Sequence, residues 1–422
     1  METPNKHRRY ILAVSAILIS TVLTVTVSEI LLHVAARMFP QVEAVLCNPQ
    51  NCDRSHLEPP KSRSELRELP DAELGMRGNP NFPEHDANGF RNAVIPDRAD
   101  VVAIGDSQTY GFSVAPDQAW PRVLEKLTSC RVYSMAVGGY GPLQYAVLAQ
   151  RALRFKPRLM LIGIYFGNDF YDNWKMFLRN PNKYPVPKKL LNSALESEQH
   201  NPLARDVEDF FRMAGTISPV DAHRAWSPRI FLAQNSSLWG FARAVKDQLF
   251  PPQTVLSHEF WTAVTALTPK QLENASIFNG TDWRTILTSR YREAVENIDD
   301  PRIKVGVWLT QWAMENIVEL ANQQDIAVIF ILLPTKESVF VDKVNDANGH
   351  KYLKKLTTEE DWIRQSLIQY MEKNTFVYIN MAPSLRAMVQ QPYFENADGH
   401  PNVFGQEKIA RKLLEPVGIC KH

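Results

Sequence analysis

The hydrophobic positions of this chain change rhythm along its length. Val101-Val102-Ala103-Ile104 is short, rich in β-branched residues and wholly apolar, as expected of a strand covered on both faces. Similar runs at Arg131–Val137, Leu159–Phe166, Ile326–Leu333 and Phe376–Ile379 bring the expected strands to five. Helical spacing separates them. Leu143, Leu148, Ala149 and Leu153 mark a helix over 143–155, and an amphipathic helix is expected over 305–323. A third spans 358–374, with Thr358 as N-cap and Trp362, Leu367 and Met371 on one face, and a closing helix runs from 404 to 414. Alternation of this kind predicts a three-layer α/β/α sandwich around a five-stranded, parallel, doubly wound sheet of flavodoxin-like order.

Two stretches break the pattern. Between 175 and 300 the periodicity fades among prolines and Trp226, Trp239, Trp261 and Trp283. A structureless loop of that length is improbable, so the stretch is expected to be an inserted, mostly helical subdomain. Its aromatic residues suit either a substrate cleft or an irregular core. At the other end, Lys6, His7, Arg8 and Arg9 precede an uncharged run, Tyr10–Ser28, that as a helix would span roughly 28 Å. Basic residues ahead of the span place the N-terminus in the cytoplasm and the rest of the chain outside. A cleavable signal peptide ending near Val34-Ala35-Ala36 is the competing reading, and both export the chain. The expected organisation is a cytoplasmic segment 1–9, an anchor 10–33, a linker and lead-in 34–94, a catalytic domain in two parts (95–174 and 301–422), and the insertion 175–300 between them.

Composition then narrows the classes of function. At 45 % hydrophobic and 22 % charged residues the chain has the makings of a packed core. Its 47 basic and 46 acidic residues leave a formal charge of +1, so no broad basic field exists to hold nucleic acid. Export makes disulfides admissible: Cys47 with Cys52, five positions apart, and Cys130 with Cys420 are the candidate pairs, against four free thiols. No zinc-ligand spacing, phosphate loop or dinucleotide fingerprint is present, and neither metal nor cofactor is expected.

The chemistry-bearing residues cluster where the expected strands end, which is where open α/β sheets bind ligands. The first strand runs into Gly105-Asp106-Ser107, and a serine at that turn can face the cleft with its N–H near a helix N-terminus. Gly138-Gly139-Tyr140-Gly141 follows the second strand; glycines there either make a tight turn or let the backbone donate an N–H to a ligand. Gly167-Asn168-Asp169 follows the third strand, with Asn168 either an oxyanion donor or a turn residue. Last comes Asn396-Ala397-Asp398-Gly399-His400-Pro401, just before the closing helix. A carboxylate at Asp398 could hold one imidazole nitrogen of His400 and leave the other free to take a proton from serine.

In these four blocks, taken in order, the chain resembles the SGNH (or GDSL) hydrolase superfamily. The resemblance covers about 95–175 and 305–415, not the insertion. It implies that Ser107 is the nucleophile, His400 the base and Asp398 its orienter. The implied oxyanion donors are the N–H groups of Ser107 and Gly139 and the amide of Asn168, with Gly138 or Gly141 as substitutes for Gly139. Asp106, Tyr140, Asp169 and Asp172 are candidate substrate contacts. The last block reads Asp-x-His where the superfamily commonly has Asp-x-x-His; related exopolysaccharide O-acetyltransferases use the shorter spacing, but ahead of the serine block. Asp71–Arg91, with Gly75 and Gly89-Phe90-Arg91, looks like the lead-in of membrane-anchored bacterial members. The expected function is thus a serine esterase acting on acyl, above all O-acetyl, esters at the extracytoplasmic face of the cell membrane. The alternative is an O-acyltransferase modifying an envelope polysaccharide, which would need a membrane partner to deliver acyl groups. A third reading is a non-catalytic scaffold, which predicts a misplaced triad. His85, His223, His258 and His350 are expected at the surface.

Overall fold

The computed structural model describes residues 66–205, 255–267, 275–344 and 351–414, with scattered positions between 20 and 35. Two compact units divide the chain, Met1–Pro59 with Ile217–His258 and Pro60–Thr216 with Glu259–His422, and nearly every element named below lies in the second. The expected span 10–33 falls mostly outside the described residues, among which no helix is long and apolar enough to cross a membrane.

A hairpin, β1 (Glu68–Asp71) and β2 (Gly75–Gly78), leads in to β3 (Val101–Gly105). There follow α1 (Ser107–Tyr110), α2 (Trp120–Leu127), β4 (Val132–Ala136), α3 (Pro142–Ala152), β5 (Leu159–Tyr165) and α4 (Asp169–Arg179). Within the irregular stretch lie α5 (Lys188–His200), α6 (Val255–Ala266), an antiparallel hairpin β6 (Ser276–Asn279) and β7 (Arg284–Leu287), and α7 (Ser289–Glu296). The chain closes with α8 (Pro301–Asn322), β8 (Ala327–Leu333), α9 (Lys336–Phe340), α10 (Lys351–Lys373), β9 (Val377–Asn380), α11 (Ala382–Arg386) and α12 (Val403–Lys412).

The five expected strands form one parallel sheet in the order β4-β3-β5-β8-β9, the flavodoxin-like arrangement. Their side chains alternate between two cores. Val102, Ile104, Met160, Ile162, Phe330 and Leu332 face one core, filled by α3, α4, α8 and α10; Val101, Ala103, Leu159, Leu161, Ile329 and Ile331 face the other, filled by α2, α9, α11 and α12. Burial on both faces explains why these strands read as apolar runs rather than as alternating ones. β3 lies between β4 and β5, so the serine loop sits between the glycine loop and the asparagine loop at the switch point of the sheet.

Two expectations need correction. α10 starts at Lys351, so Thr358 lies inside the helix, where its hydroxyl donates to the Lys354 carbonyl at 2.8 Å instead of capping. The buried stripe of that helix is Ile363, Leu367 and Met371, and Trp362 is 54 % exposed. In the irregular stretch the described elements are mostly helical, with the β6–β7 hairpin among them, and that hairpin packs Trp283 against Phe340 in the core, their rings 4.9 Å apart. Trp226 and Trp239 lie outside the described residues.

Cys130 is disulfide-bonded, and its partner lies outside the described residues, as do Cys47, Cys52 and Cys420.

Candidate active site

Gly105 ends β3 because nothing larger fits: a Cβ there would lie 2.2 Å from the Thr109 hydroxyl. The chain turns at once into α1, with Asp106 as N-cap accepting the Gln108 N–H at 2.9 Å. The turn raises Ser107 to the carboxyl edge of the sheet. From the far end of the chain, the segment before α12 brings His400 to it, with Nε2 2.8 Å from Ser107 Oγ. Asp398 Oδ1 lies 2.6 Å from His400 Nδ1 and also accepts the His400 backbone N–H at 2.9 Å. One carboxylate oxygen thereby fixes both ring and backbone, which is how the short Asp-x-His spacing accommodates the pair. The structure thus brings Ser107, His400 and Asp398 into one hydrogen-bonded chain.

The Asp398 carboxylate is well supplied with donors. Burial works against its charge, but the hydrogen bond and charge of His400 and the Ser113 hydroxyl, which donates to Oδ2, outweigh it and hold the group well below the usual carboxylate range. Ser113 escaped the sequence reading because it belongs to no block. It is placed by the turn after α1, where buried Arg91 donates to the carbonyls of Gly111 at 2.6 Å and Val114 at 2.9 Å.

Lys336, one residue inside α9 and 1 % exposed, was also missed. Its Nζ donates to the carbonyls of Phe394, Asn396 and Asp398 at 2.7, 2.6 and 3.0 Å, tying the His400-bearing loop to the end of β8. Arg292, from α7, does similar work. It donates to the Gly167 carbonyl at 3.0 Å and stands so close to Gly399 that a Cβ there would meet its guanidinium at 2.3 Å. A lysine in a Thr-Lys-Glu run and an arginine in an aperiodic stretch carry no signal of such contacts.

Among the described residues, the backbone N–H groups of Ser107, Gly138 and Gly139 make no hydrogen bond, as an oxyanion site requires. Gly139 has φ +71°, a left-handed conformation that glycine adopts without strain, and Gly138 lies against Ser107, a Cβ there being 3.7 Å from that of the serine. Gly141 is not available as a substitute, since it caps α3 and its N–H donates to Gln144 at 3.1 Å. The Asn168 amide donates to Asp172 at 2.6 Å, which fixes its orientation and leaves its second N–H for another acceptor.

The candidate substrate contacts Asp106, Tyr140, Asp169 and Asp172 are all buried, so they support the site from below instead of lining it. Tyr140 donates to the Met76 carbonyl of the lead-in hairpin at 2.7 Å. Asp169 accepts the Tyr145 hydroxyl and the Tyr165 N–H, and burial raises its carboxyl well above the ordinary value. Asp172, likewise raised by burial, pairs with Lys175 at 2.7 Å. Burial, with help from the neighbouring Asp172 charge, pushes Asp106 up to about 7. His85 is half-buried: its ring joins the Asn79 carbonyl and the Tyr110 hydroxyl, both at 2.9 Å, and burial lowers its pKa. His223, His258 and His350 fall outside the described side chains. Among the described residues no cluster of His, Cys, Asp and Glu could hold a metal ion.

No protein-family model matches the chain, and no curated protein sequence does. Solved structures of GDSL-type lipolytic hydrolases do match it. A GDSL-like lipase from Bacteroides thetaiotaomicron is 10 % identical with a TM-score of 0.32, the match covering 75 % of this chain and 86 % of that one. An extracellular lipase from Streptomyces rimosus is 13 % identical with a TM-score of 0.32, covering 76 % of this chain and all of the other.

Proposed function

We propose that this protein is a serine ester hydrolase of the SGNH type, acting on acyl esters, with O-acetyl groups as the foremost class. The hydrogen-bonded chain from Ser107 through His400 to Asp398 carries the reading. His400 Nε2 takes the hydroxyl proton as Ser107 Oγ bonds to the acyl carbon, and the carbonyl π electrons move onto oxygen. Asp398, kept ionised, orients the ring and balances the imidazolium. The N–H groups of Ser107 and Gly139, with Gly138 adjacent, and the amide of Asn168 receive the oxyanion. Collapse expels the alcohol, which takes the proton from His400 and leaves an acyl-serine that water then hydrolyses by the reverse proton path. A scaffold would have its serine and histidine apart, and 2.8 Å is not that.

The disulfide at Cys130 supports an oxidising, extracytoplasmic location, with the 10–33 segment as anchor. Whether the acyl group goes to water or to a sugar is decided by assay. Purified protein is given an aryl acetate with and without an oligosaccharide acceptor, and Ser107 is labelled with a fluorophosphonate. The expected result is hydrolysis and a label abolished by Ser107→Ala and by His400→Ala. Acetyl appearing on the oligosaccharide would make it a transferase, and full activity in Ser107→Ala would end the serine mechanism.

A further inference from the structure

Beside the triad lies a cation that makes no ion pair among the described residues. Arg67, just before β1, sets its guanidinium 4.3 Å from the centre of the Phe112 ring, 5.4 Å from that of Phe82 and 5.8 Å from that of Tyr110. Phe112 in turn stacks on the ring of His400, with centroids 5.2 Å apart and planes 24° from parallel. The rest of this aromatic cluster is neutral: burial lowers the His85 pKa and pushes Tyr110 up to about 12. Among the described residues, no carboxylate lies within ion-pair distance of Arg67, and its buried Nε–H has no hydrogen-bond partner. Among the described residues, the arginines Arg91 and Arg292 close to the site are each paired with a glutamate.

A half-buried guanidinium with an unused N–H is costly unless something completes it. Cation–π contact with three rings holds it in place but leaves its in-plane donors open. Those donors form a planar fork suited to a carboxylate, two ring contacts from the general base. Phe112, 42 % exposed, offers an apolar edge between them. From this arrangement we infer that Arg67 is a specificity-determining residue that binds a carboxylate carried by the substrate, so that the enzyme prefers acyl esters of acidic molecules. The inference rests on the esterase reading above and narrows its substrate class.

The test compares three esters: phenyl acetate (neutral), 4-acetoxybenzoate (carboxylate on the alcohol side) and mono-phenyl succinate (carboxylate on the acyl side). In Arg67→Gln, kcat/KM for one of the two anionic esters should fall about tenfold further than for phenyl acetate, the loss appearing in KM. The ester affected says which side of the bond faces Arg67. Arg67→Lys, which keeps the charge but not the fork, should restore only part of the difference. An equal loss for all three esters would mean that Arg67 merely props Phe112 against His400, and the inference would fall. Binding of 4-hydroxybenzoate and of succinate to Ser107→Ala protein, with and without Arg67→Gln, does not depend on turnover. If no ester is cleaved but either carboxylate binds more weakly without Arg67, the subsite stands and the esterase reading fails. Unchanged binding of both ligands overturns the subsite.

Discussion

The ammonium of Lys336 donates to the backbone carbonyl of Asp398 at 3.0 Å, from a position in the chain 62 residues earlier. With its bonds to Phe394 and Asn396, that contact makes the loop carrying Asp398 and His400 an extension of the sheet rather than a free segment. A catalytic carboxylate on a surface loop is placed no better than the loop itself. Lys336 supplies the precision from beneath.

Lys336→Met keeps the aliphatic stem and leaves three carbonyls without their donor. Stability should fall by about 3 kcal/mol, since each buried unsatisfied group costs roughly 1–3 kcal/mol before relaxation. At temperatures where the variant remains folded, kcat should fall roughly 10²-fold with KM little changed, because a displacement near 1 Å misaligns the base. Lys336→Arg, which can still donate, should recover part of kcat. Thermal melts and steady-state kinetics check this; lowered stability with full kcat would reduce Lys336 to a structural role.

Asn168→Ala removes the proposed side-chain oxyanion donor while leaving Ser107, His400 and Asp398 untouched. The expected effect is a loss of kcat of about 10²–10³ with KM nearly constant, the signature of an interaction made chiefly in the transition state. Fluorophosphonate labelling should slow in parallel, since that reaction also builds negative charge on oxygen. A change confined to KM would instead make Asn168 a ground-state substrate contact.

Asp106 gives a pH dependence whose sign can be worked out. Its carboxyl has a folded-state pKa of about 7 against 3.8 for the free group, so between these values the folded protein binds the extra proton. The stability from this group is therefore fully present below about pH 4 and is lost as pH rises through about 7. Asp106→Asn keeps the cap acceptor and stays neutral, so its melting temperature should decline less over that interval. Melts at several pH values decide the matter. Parallel slopes in the two proteins would show Asp106 ionised throughout.

Much of this protein was legible in its residues. Five apolar runs identified the strands because a sheet covered on both faces leaves no polar position to blur the pattern, and both cores use alternate residues of the same runs. The blocks around Ser107, Gly139, Asn168 and His400 stood out because glycine, asparagine and histidine mark places where backbone freedom or titration is needed. The irregular stretch gave less away. There β7 and α7 are held by contacts to other elements rather than by internal periodicity, and Thr358 read as a cap because threonine suits that position, although residues 351–357 before it already belong to the helix.

What the chain determined by itself was the order of strands and the residue types at their ends, since both are local and periodic. Tertiary structure decided which of those residues meet. Sequence alone places Asp398 two positions from His400, but only the fold carries the pair to Ser107, 293 residues away. The same holds for Lys336, Arg292, Ser113 and Arg67, ordinary residues in their local sequence. Their roles arise from distances between elements, and no short-range preference encodes a distance of that kind.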